Sequence, residues 1–182
     1  MNTTLNPVEH LVDAWPLDLL IDYILKIHHR GIRNNGPVIE AQFRRVLEAN
    51  ADNADLKAAH QLFYDSLVDL DMHLMKEENV LFPFVLDLFE AAEQATAIEQ
   101  MHCGSVQNPI RVMEDDHAGE VARYNRIAAL TNNFTAPQGA NEEYRQLMLR
   151  LSEFMAALHE HIRLENDHLF PAAVALEQEW VR

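Results

Sequence analysis

The chain has 182 residues, a length that suits a single domain. Its net charge is −15, and it contains one cysteine, Cys103. This acidity disfavours nucleic acid and anionic membrane as partners, and a single cysteine excludes an intramolecular disulfide. Residues 1–10 lack the basic and apolar regions of a signal peptide, and no apolar run has the length of a membrane span, so we expect a cytoplasmic protein.

Helix-favouring residues dominate the sequence, and turn-forming clusters divide it into periodic segments, so we predict an all-α fold. Residues 1–15 are interpreted as a lead-in, and residues 16–182 as one domain. The long segments span about 16–34, 55–93, 109–132 and 140–178, with a shorter helix at about 38–49. The predicted breaks lie at 34–37 (Asn-Asn-Gly-Pro), 50–55, 103–109 and 131–139.

Three of these segments carry an apolar stripe at helical spacing that is interrupted by His or Glu. In the second segment the stripe is Leu70, His73, Glu77, Val80, Phe84 and Leu88. In the third it is Ile110, Met113, His117, Val121, Tyr124 and Ala128. In the fourth it is Leu147, Leu151, Phe154, Leu158, His161 and Glu165. A buried charge costs several kcal/mol unless it is paired or bound to metal, so these positions indicate a compensating partner.

The first segment contains two adjacent histidines, and two arguments choose differently between them. Its apolar stripe centres nearer to His28; the stripe is Leu17, Ile21, Ile24 and Ile32. Spacing favours His29, which precedes His73 by 44 residues, as His117 precedes His161 by 44 residues.

One motif, H-x3-E-x3-L-F-P, occurs twice, as 73-HLMKEENVLFP-83 and again 88 residues later as 161-HIRLENDHLFP-171. Its His and Glu lie one turn apart on one helix face. We interpret the sequence as two pseudo-repeated helical hairpins that form an up-down-up-down four-helix bundle. Six polar side chains then meet at its centre, namely His29, His73, Glu77, His117, His161 and Glu165.

Four imidazoles and two carboxylates are too many for one tetrahedral zinc, but they suit two metals bridged by the two Glu. Mixed nitrogen and oxygen ligands favour iron, manganese or zinc over magnesium or calcium. We expect two iron ions, bridged by carboxylates and by an oxo group when ferric. Asp69 and Asp116 are candidates to accept a hydrogen bond from an imidazole or to line a path for iron, and otherwise are ordinary helix acids.

A rival pattern, E-x-x-H, is typical of ferritin-like di-iron proteins and occurs at Glu114–His117 and Glu165–His168. That site also needs a Glu from each of the other two helices. The first segment contains none, so the rival is less favoured.

On these motifs the chain resembles the bacterial hemerythrin-like proteins, specifically the di-iron group called repair of iron centres. The resemblance covers about residues 16–175 and also rests on 16-PLDLLIDYILKIHH-29 and 109-PIRVMEDDH-117. It implies a hemerythrin-like bundle, places the first-helix ligand at His29, and implies a role in repairing iron–sulfur clusters damaged by nitric oxide or oxidants. Full-length members also carry paired cysteines, so a thiol-dependent step is expected to be absent or to be supplied by another protein.

Three functions remain open at this point. The first is supply of iron for cluster repair, with damaged or apo iron–sulfur proteins as partners. The second is a hemerythrin-like carrier or sensor that binds O2 or NO, and the third is an oxidase-type enzyme. The sequence shows no nucleophile–base pair and no nucleotide-binding loop, so a conventional hydrolase or transferase is disfavoured.

Overall fold

The computed structural model describes residues 12, 14–100, 102 and 104–181, so most of the predicted lead-in, 1–15, and Cys103 lie outside the described residues. Helix α1 (17–48) consists of Leu17–Tyr23, a π-helical segment Ile24–His29, and Arg30–Glu48. Helix α2 (54–94) consists of Ala54–Lys76, a π-helical segment Glu77–Leu81, and Phe82–Gln94. Helix α3 is Gln107–Leu130. Helix α4 (142–180) consists of Glu142–Leu164, a π-helical segment Glu165–Leu169, and Phe170–Trp180.

These four helices confirm the predicted all-α bundle. Helix α1 packs against α2 and α4, α2 packs against α3, and the C-terminal parts of α2 and α4 pack against each other. The described residues form no β-strand; β-structure among them is limited to isolated bridge residues, including the pair Ile98 and Val181. Within the same residues, no helix combines the length and apolar character needed to cross a membrane.

The predicted break at 34–37 is wrong, because α1 continues through Pro37 as far as Glu48. Gly36 is buried, and a Cβ built at this glycine would lie 2.6 Å from Cδ2 of Leu67 on α2. The glycine therefore permits a close approach of two helices rather than ending one. Packing of α1 on its neighbours outweighs the weak helix propensity of the Gly-Pro pair, and the predicted short helix at 38–49 is the second half of α1.

The π-helical segments of α2 and α4 coincide with the two copies of the repeated motif. The amides of Phe82 and Phe170 donate to the carbonyls of Glu77 and Glu165, five residues earlier, instead of four. Prolines follow at 83 and 171 and have no amide hydrogen to continue the ordinary ladder. Each segment therefore inserts one extra residue into its helix.

This insertion explains an error in the predicted stripe of α2. Val80, which was expected to be buried, is 38% exposed, while Leu81 and Val85 are buried. Leu88 is buried as predicted. The stripe N-terminal to the π-helical segment, at Leu70 and His73, is unchanged.

The polar side chains occupy one layer between two apolar clusters. The first cluster includes Leu70, Leu74 and Leu158. The second includes Leu81, Met113, Leu164 and Val12, which precedes α1 in the chain. At the far end of the second cluster, Glu177 of α4 caps the start of α3. Its carboxylate accepts hydrogen bonds from the amide of Val106 and the hydroxyl of Ser105, both at 2.6 Å.

Candidate metal centre

All six predicted ligands are buried, and none is more than 3% exposed. Ligand atoms of five of them lie within 4.8 Å of one another, namely His73, Glu77, His117, His161 and Glu165. His29 adjoins this group, since its Nε2 is 3.4 Å from Oε2 of Glu77 and 3.9 Å from Oε1 of Glu165. The structure thus brings together all six side chains that the spacing argument selected.

Their atoms divide into two sets. Set A contains His29 and His161, whose nitrogens lie nearest to Oε2 of Glu77, at 3.4 Å, and to Oε1 of Glu165, at 3.5 Å. Set B contains His73 and His117, whose Nε2 atoms lie nearest to Oε1 of Glu77, at 3.1 Å, and to Oε2 of Glu165, at 3.2 Å. Each carboxylate therefore presents one oxygen to each set, as a carboxylate that bridges two metals must do.

Many of the ligand atoms of this site are buried without a hydrogen-bond partner. In the described residues, most buried side-chain atoms that lack a hydrogen-bond partner belong to His29, Glu77, His161 and Glu165. In set B the two Nε2 atoms face each other at 3.1 Å. Unpaired buried polar atoms are costly, so this concentration of lone pairs fits bound cations.

The two carboxyl groups titrate differently because their surroundings differ. Burial raises the pKa of Glu77, but the adjacent imidazoles of His29 and His73 outweigh burial and hold the pKa well below its ordinary value. Burial, and then the charge of Glu77, raise the pKa of Glu165 well above its ordinary value. The metal-free site therefore favours one negative charge over two.

The imidazoles of His161 and His117 are held in the neutral form that metals require. Burial lowers the pKa of His161 well below its ordinary value, and burial together with His73 lowers the pKa of His117. Burial also opposes protonation of His73, but contacts with Glu77 and Asp116 outweigh it and raise its pKa.

Three of the four imidazoles have a second partner outside the cluster. The Nδ1 of His29 contacts Oε1 of Glu78 at 2.8 Å, and the Nδ1 of His117 contacts Oδ1 of Asn166 at 2.9 Å. The sequence reasoning missed Glu78 and Asn166, although each directly follows a ligand Glu in the repeated motif. Such partners hold the ring with Nδ1 as the donor, so that Nε2 offers its lone pair to the centre.

The third partner, Asp116, is one of the two acids selected from the sequence. Its Oδ2 lies 3.2 Å from Nδ1 of His73 and accepts a hydrogen bond from Lys76 at 3.0 Å. The other selected acid, Asp69, contacts no ligand. It is 58% exposed and accepts a hydrogen bond from Arg123 at 2.5 Å.

The Leu-Phe-Pro triplets are explained by aromatic stacking. The ring of Phe82 stacks on His29 with centroids 5.6 Å apart, and the ring of Phe170 stacks on His117 at 6.0 Å. Each triplet thus places its Phe against the histidine of the preceding helix in its own hairpin. These rings cover the imidazoles with apolar surface and limit the access of water to the site.

A cavity of about 250 Å³ adjoins set B. Its lining includes the buried imidazoles of His73 and His117, the buried Glu120 and the exposed Asp69. Burial raises the pKa of Glu120, whose carboxylate accepts a hydrogen bond from Ser66 at 2.6 Å.

The ferritin-like rival does not fit this arrangement. Glu114 is exposed on α3, and His168 contacts Arg163 at 3.2 Å. Both His28 and His29 are buried, so the conflict between periodicity and spacing reflects two inward-facing residues. The π-helical segment Ile24–His29 brings both to the interior of the bundle.

Comparison with known proteins supports a cation site. A family model described as the hemerythrin HHE cation binding domain matches residues 20–173. The iron-sulfur cluster repair protein YtfE of Edwardsiella ictaluri is 33% identical over 160 residues, which cover 87% of this chain and 66% of that protein. YtfE of Musicola paradisiaca is 33% identical over 172 residues, 92% of this chain and 70% of that protein. YtfE of Escherichia coli O1:K1 is 32% identical over 174 residues, 94% of this chain and 72% of that protein. The chain thus spans about two thirds of the length of the first of these relatives.

Proposed function

The chain belongs to the hemerythrin HHE cation-binding family, and on this premise we propose that its buried cluster holds two iron ions that serve the repair of iron–sulfur clusters. His29 and His161 would hold one iron and His73 and His117 the other, with Glu77 and Glu165 as bridges. The observation that carries this proposal is the division of one buried cluster into two sets that share both carboxylates. When bound, the iron pair supplies a ferrous–ferric couple and, in its ferrous form, more readily exchanged ions.

The protein's own residues keep the ligands ready for metal. Glu78 accepts from Nδ1 of His29, and Arg33 holds this carboxylate with two hydrogen bonds of 2.5 and 3.1 Å. Asp116 has the same relation to His73 and Lys76. Because each acid already has a cationic partner, it orients its imidazole without adding an unpaired charge near the metals.

The cavity beside set B gives the direction in which iron, as cargo, would leave. Three of the carboxylates that line it differ in exposure: Glu120 is buried, Asp116 is 38% exposed and Asp69 is 58% exposed. Carboxylate oxygens bind ferrous iron more weakly and exchangeably than a bridged site of imidazoles and carboxylates does. Successive carboxylates can therefore pass an ion toward solvent without binding it tightly at any one position.

The repair role is carried to this chain from its relatives, which are iron–sulfur cluster repair proteins by name. Its partners would then be damaged or apo iron–sulfur proteins, and nitrosative or oxidative stress would be the setting. Reduced, iron-loaded protein should transfer iron to an apo iron–sulfur protein when sulfide and thiol are supplied.

Asp69→Leu tests the path separately from the site. Iron content measured by elemental analysis should stay at about two per chain, while transfer should slow several-fold, because Asp69 contacts no ligand. The matched control is Asp87→Leu, which removes an exposed acid from the same helix far from the cavity. Transfer by Asp69→Leu at the wild-type rate would contradict the proposed path.

A second candidate, a carrier or sensor of O2 or NO, is favoured by the enclosure of set A. Its residues His29 and His161 are at most 1% exposed, and Phe82 covers His29. This candidate predicts that reduction releases no iron to a competing chelator and that a reversible gas adduct forms. If both results are observed, the carrier or sensor function would be accepted in place of the repair role.

A further inference from the structure

One of the four ligand imidazoles differs from the rest. His29, His73 and His117 each contact an outer acceptor through Nδ1, whereas neither ring nitrogen of His161 has a hydrogen-bond partner. An imidazole that binds metal through one nitrogen keeps a proton on the other, and that N–H needs an acceptor when it is buried. His161 is fully buried, so the acceptor must come from the protein interior.

The internal repeat indicates where this acceptor lies. Asp116 directly precedes His117 on α3 and contacts His73 on α2. Shifted back by the 88-residue repeat, Asp116 corresponds to His28, which directly precedes His29 on α1. The counterpart of His73 under the same repeat is His161 on α4. His28 should therefore face His161 as Asp116 faces His73.

The position of His28 agrees with this correspondence. Its side chain is only 8% exposed, and its ring centroid lies 6.0 Å from that of His161. Burial lowers the pKa of His28, and the backbone carbonyl of Ala157, one turn before His161 on α4, opposes this lowering. Its Nε2 is buried without a hydrogen-bond partner, and it can accept a hydrogen bond when the ring proton is on Nδ1.

We propose that His28 is a positioning residue for the metal site, with its Nε2 accepting a hydrogen bond from the ring N–H of His161 when set A holds a metal. Two imidazoles joined by a direct N–H···N bond of about 3 Å have ring centroids about 5 Å apart. The observed separation of 6.0 Å exceeds this value by about 1 Å, so a small movement of the two side chains would form the bond.

With this role, both histidines of α1, His28 and His29, contribute to the metal site. His29 ligates the metal of set A, and the adjacent His28 orients the other imidazole of the same set. The inference rests on the proposed metal pair, but it concerns one metal of the two. Loss of the acceptor should weaken set A and leave set B, whose partners are Asp116 and Asn166, unchanged.

Three variants separate hydrogen bonding from packing. His28→Phe keeps a ring but removes the acceptor, and His28→Gln restores an acceptor oxygen near the place of Nε2. His159→Phe is the control, because His159 also has a buried, unpartnered Nε2 but is not the repeat counterpart of Asp116. Melting of each metal-free variant, followed by circular dichroism, shows whether it is folded.

The measurement is a competitive titration of metal-free protein with ferrous iron and a chromophoric chelator. Removal of an outer partner typically costs 10–100-fold in affinity, so His28→Phe should weaken one of the two irons by about that factor. His28→Gln should restore most of the loss, and His159→Phe should match wild type. Zinc-loaded wild type should also show, in imidazole NMR spectra, a hydrogen-bonded ring N–H of His161 close to His28 that disappears in His28→Phe.

Equal iron affinities for His28→Phe and wild type would overturn the inference. It would also be overturned if His28→Gln folds but binds iron as weakly as His28→Phe does. Retention of both irons by His29→Ala together with their loss from His28→Phe would make His28 the ligand and would also overturn it. Failure of the wild type to bind two irons is a distinct result, which would refute the proposed function itself.

Discussion

Glu165→Gln should stabilise the metal-free protein at neutral pH, although it removes a predicted metal ligand. Glu165 is fully buried, and burial followed by the charge of Glu77 raises its pKa well above the ordinary value of 4.5. Between these two pKa values the folded protein binds a proton that the unfolded chain does not. The contribution of Glu165 to stability is therefore full below pH 4.5 and is lost progressively as the pH rises toward the folded-state pKa.

The size of the effect follows from this difference in proton binding. Each pH unit within the window costs the folded state about 1.4 kcal/mol, and pH 7 lies about 2.5 units above the ordinary value, so the penalty at pH 7 is at most about 3 kcal/mol. The amide of Gln has nearly the same shape and does not ionise, so the variant escapes the penalty. For a chain of this length, 1 kcal/mol corresponds to a change in Tm of about 2–4 °C.

The assay is thermal unfolding of chelator-treated protein, followed by circular dichroism at pH 7.5 and at pH 5. The variant should melt higher than wild type at pH 7.5, and the difference should shrink at pH 5. The pseudo-symmetric control, Glu77→Gln, should instead lower the Tm at pH 7.5, because the Glu77 carboxylate is held ionised by His29 and His73. A lower Tm for Glu165→Gln at pH 7.5, or a gain independent of pH, would refute this reasoning.

Two further predictions concern the scaffold. Gly36→Ala should lower the unfolding free energy by about 1–3 kcal/mol, because its Cβ would meet Leu67 at 2.6 Å. Gly31→Ala, with no atom within 4 Å of the new Cβ, should be neutral or stabilising in the same urea titration. Glu177→Gln should cost about 1–2 kcal/mol by weakening the cap of α3, with iron content unchanged; an unaltered urea midpoint would contradict that role.

The sequence predicted the bundle and its six central side chains because a repeat leaves a strong signal. His and Glu at core positions of an apolar stripe are costly, and their recurrence 88 residues apart within the same H-x3-E-x3-L-F-P motif indicates a repeated hairpin. The structure places all six in one buried layer, including His29, which spacing had favoured. Their assignment as ligands stays a prediction until metal is measured.

The errors arose where the backbone departs from regular α-helix. By composition, the Gly36–Pro37 pair predicts a helix break. In the structure Gly36 instead gives room for Leu67 of α2, a contact that the sequence of α1 does not show. The π-helical segments shift the register by one residue, so Val80 faces outward. No periodicity reveals such a shift, because the extra residue is inserted within a single turn.

The residues that contact the outer nitrogens of the ligand imidazoles were equally difficult to predict from the sequence. Glu78 and Asn166 look like surface polar residues in the sequence, because each follows a ligand on the helix and gains its role only from an imidazole on a different helix. Asp116 was found because it adjoins His117, yet the imidazole that it contacts belongs to His73. Contacts between helices are set by packing, which the sequence of one helix does not encode.

The most direct test of the account is the anomalous diffraction of crystals of the iron-loaded protein, measured at the iron absorption edge. The account predicts two peaks per chain bridged by Glu77 and Glu165, one beside His29 and His161 and the other beside His73 and His117. A single peak, or a pair of irons bound by a different division of these four histidines, would contradict it.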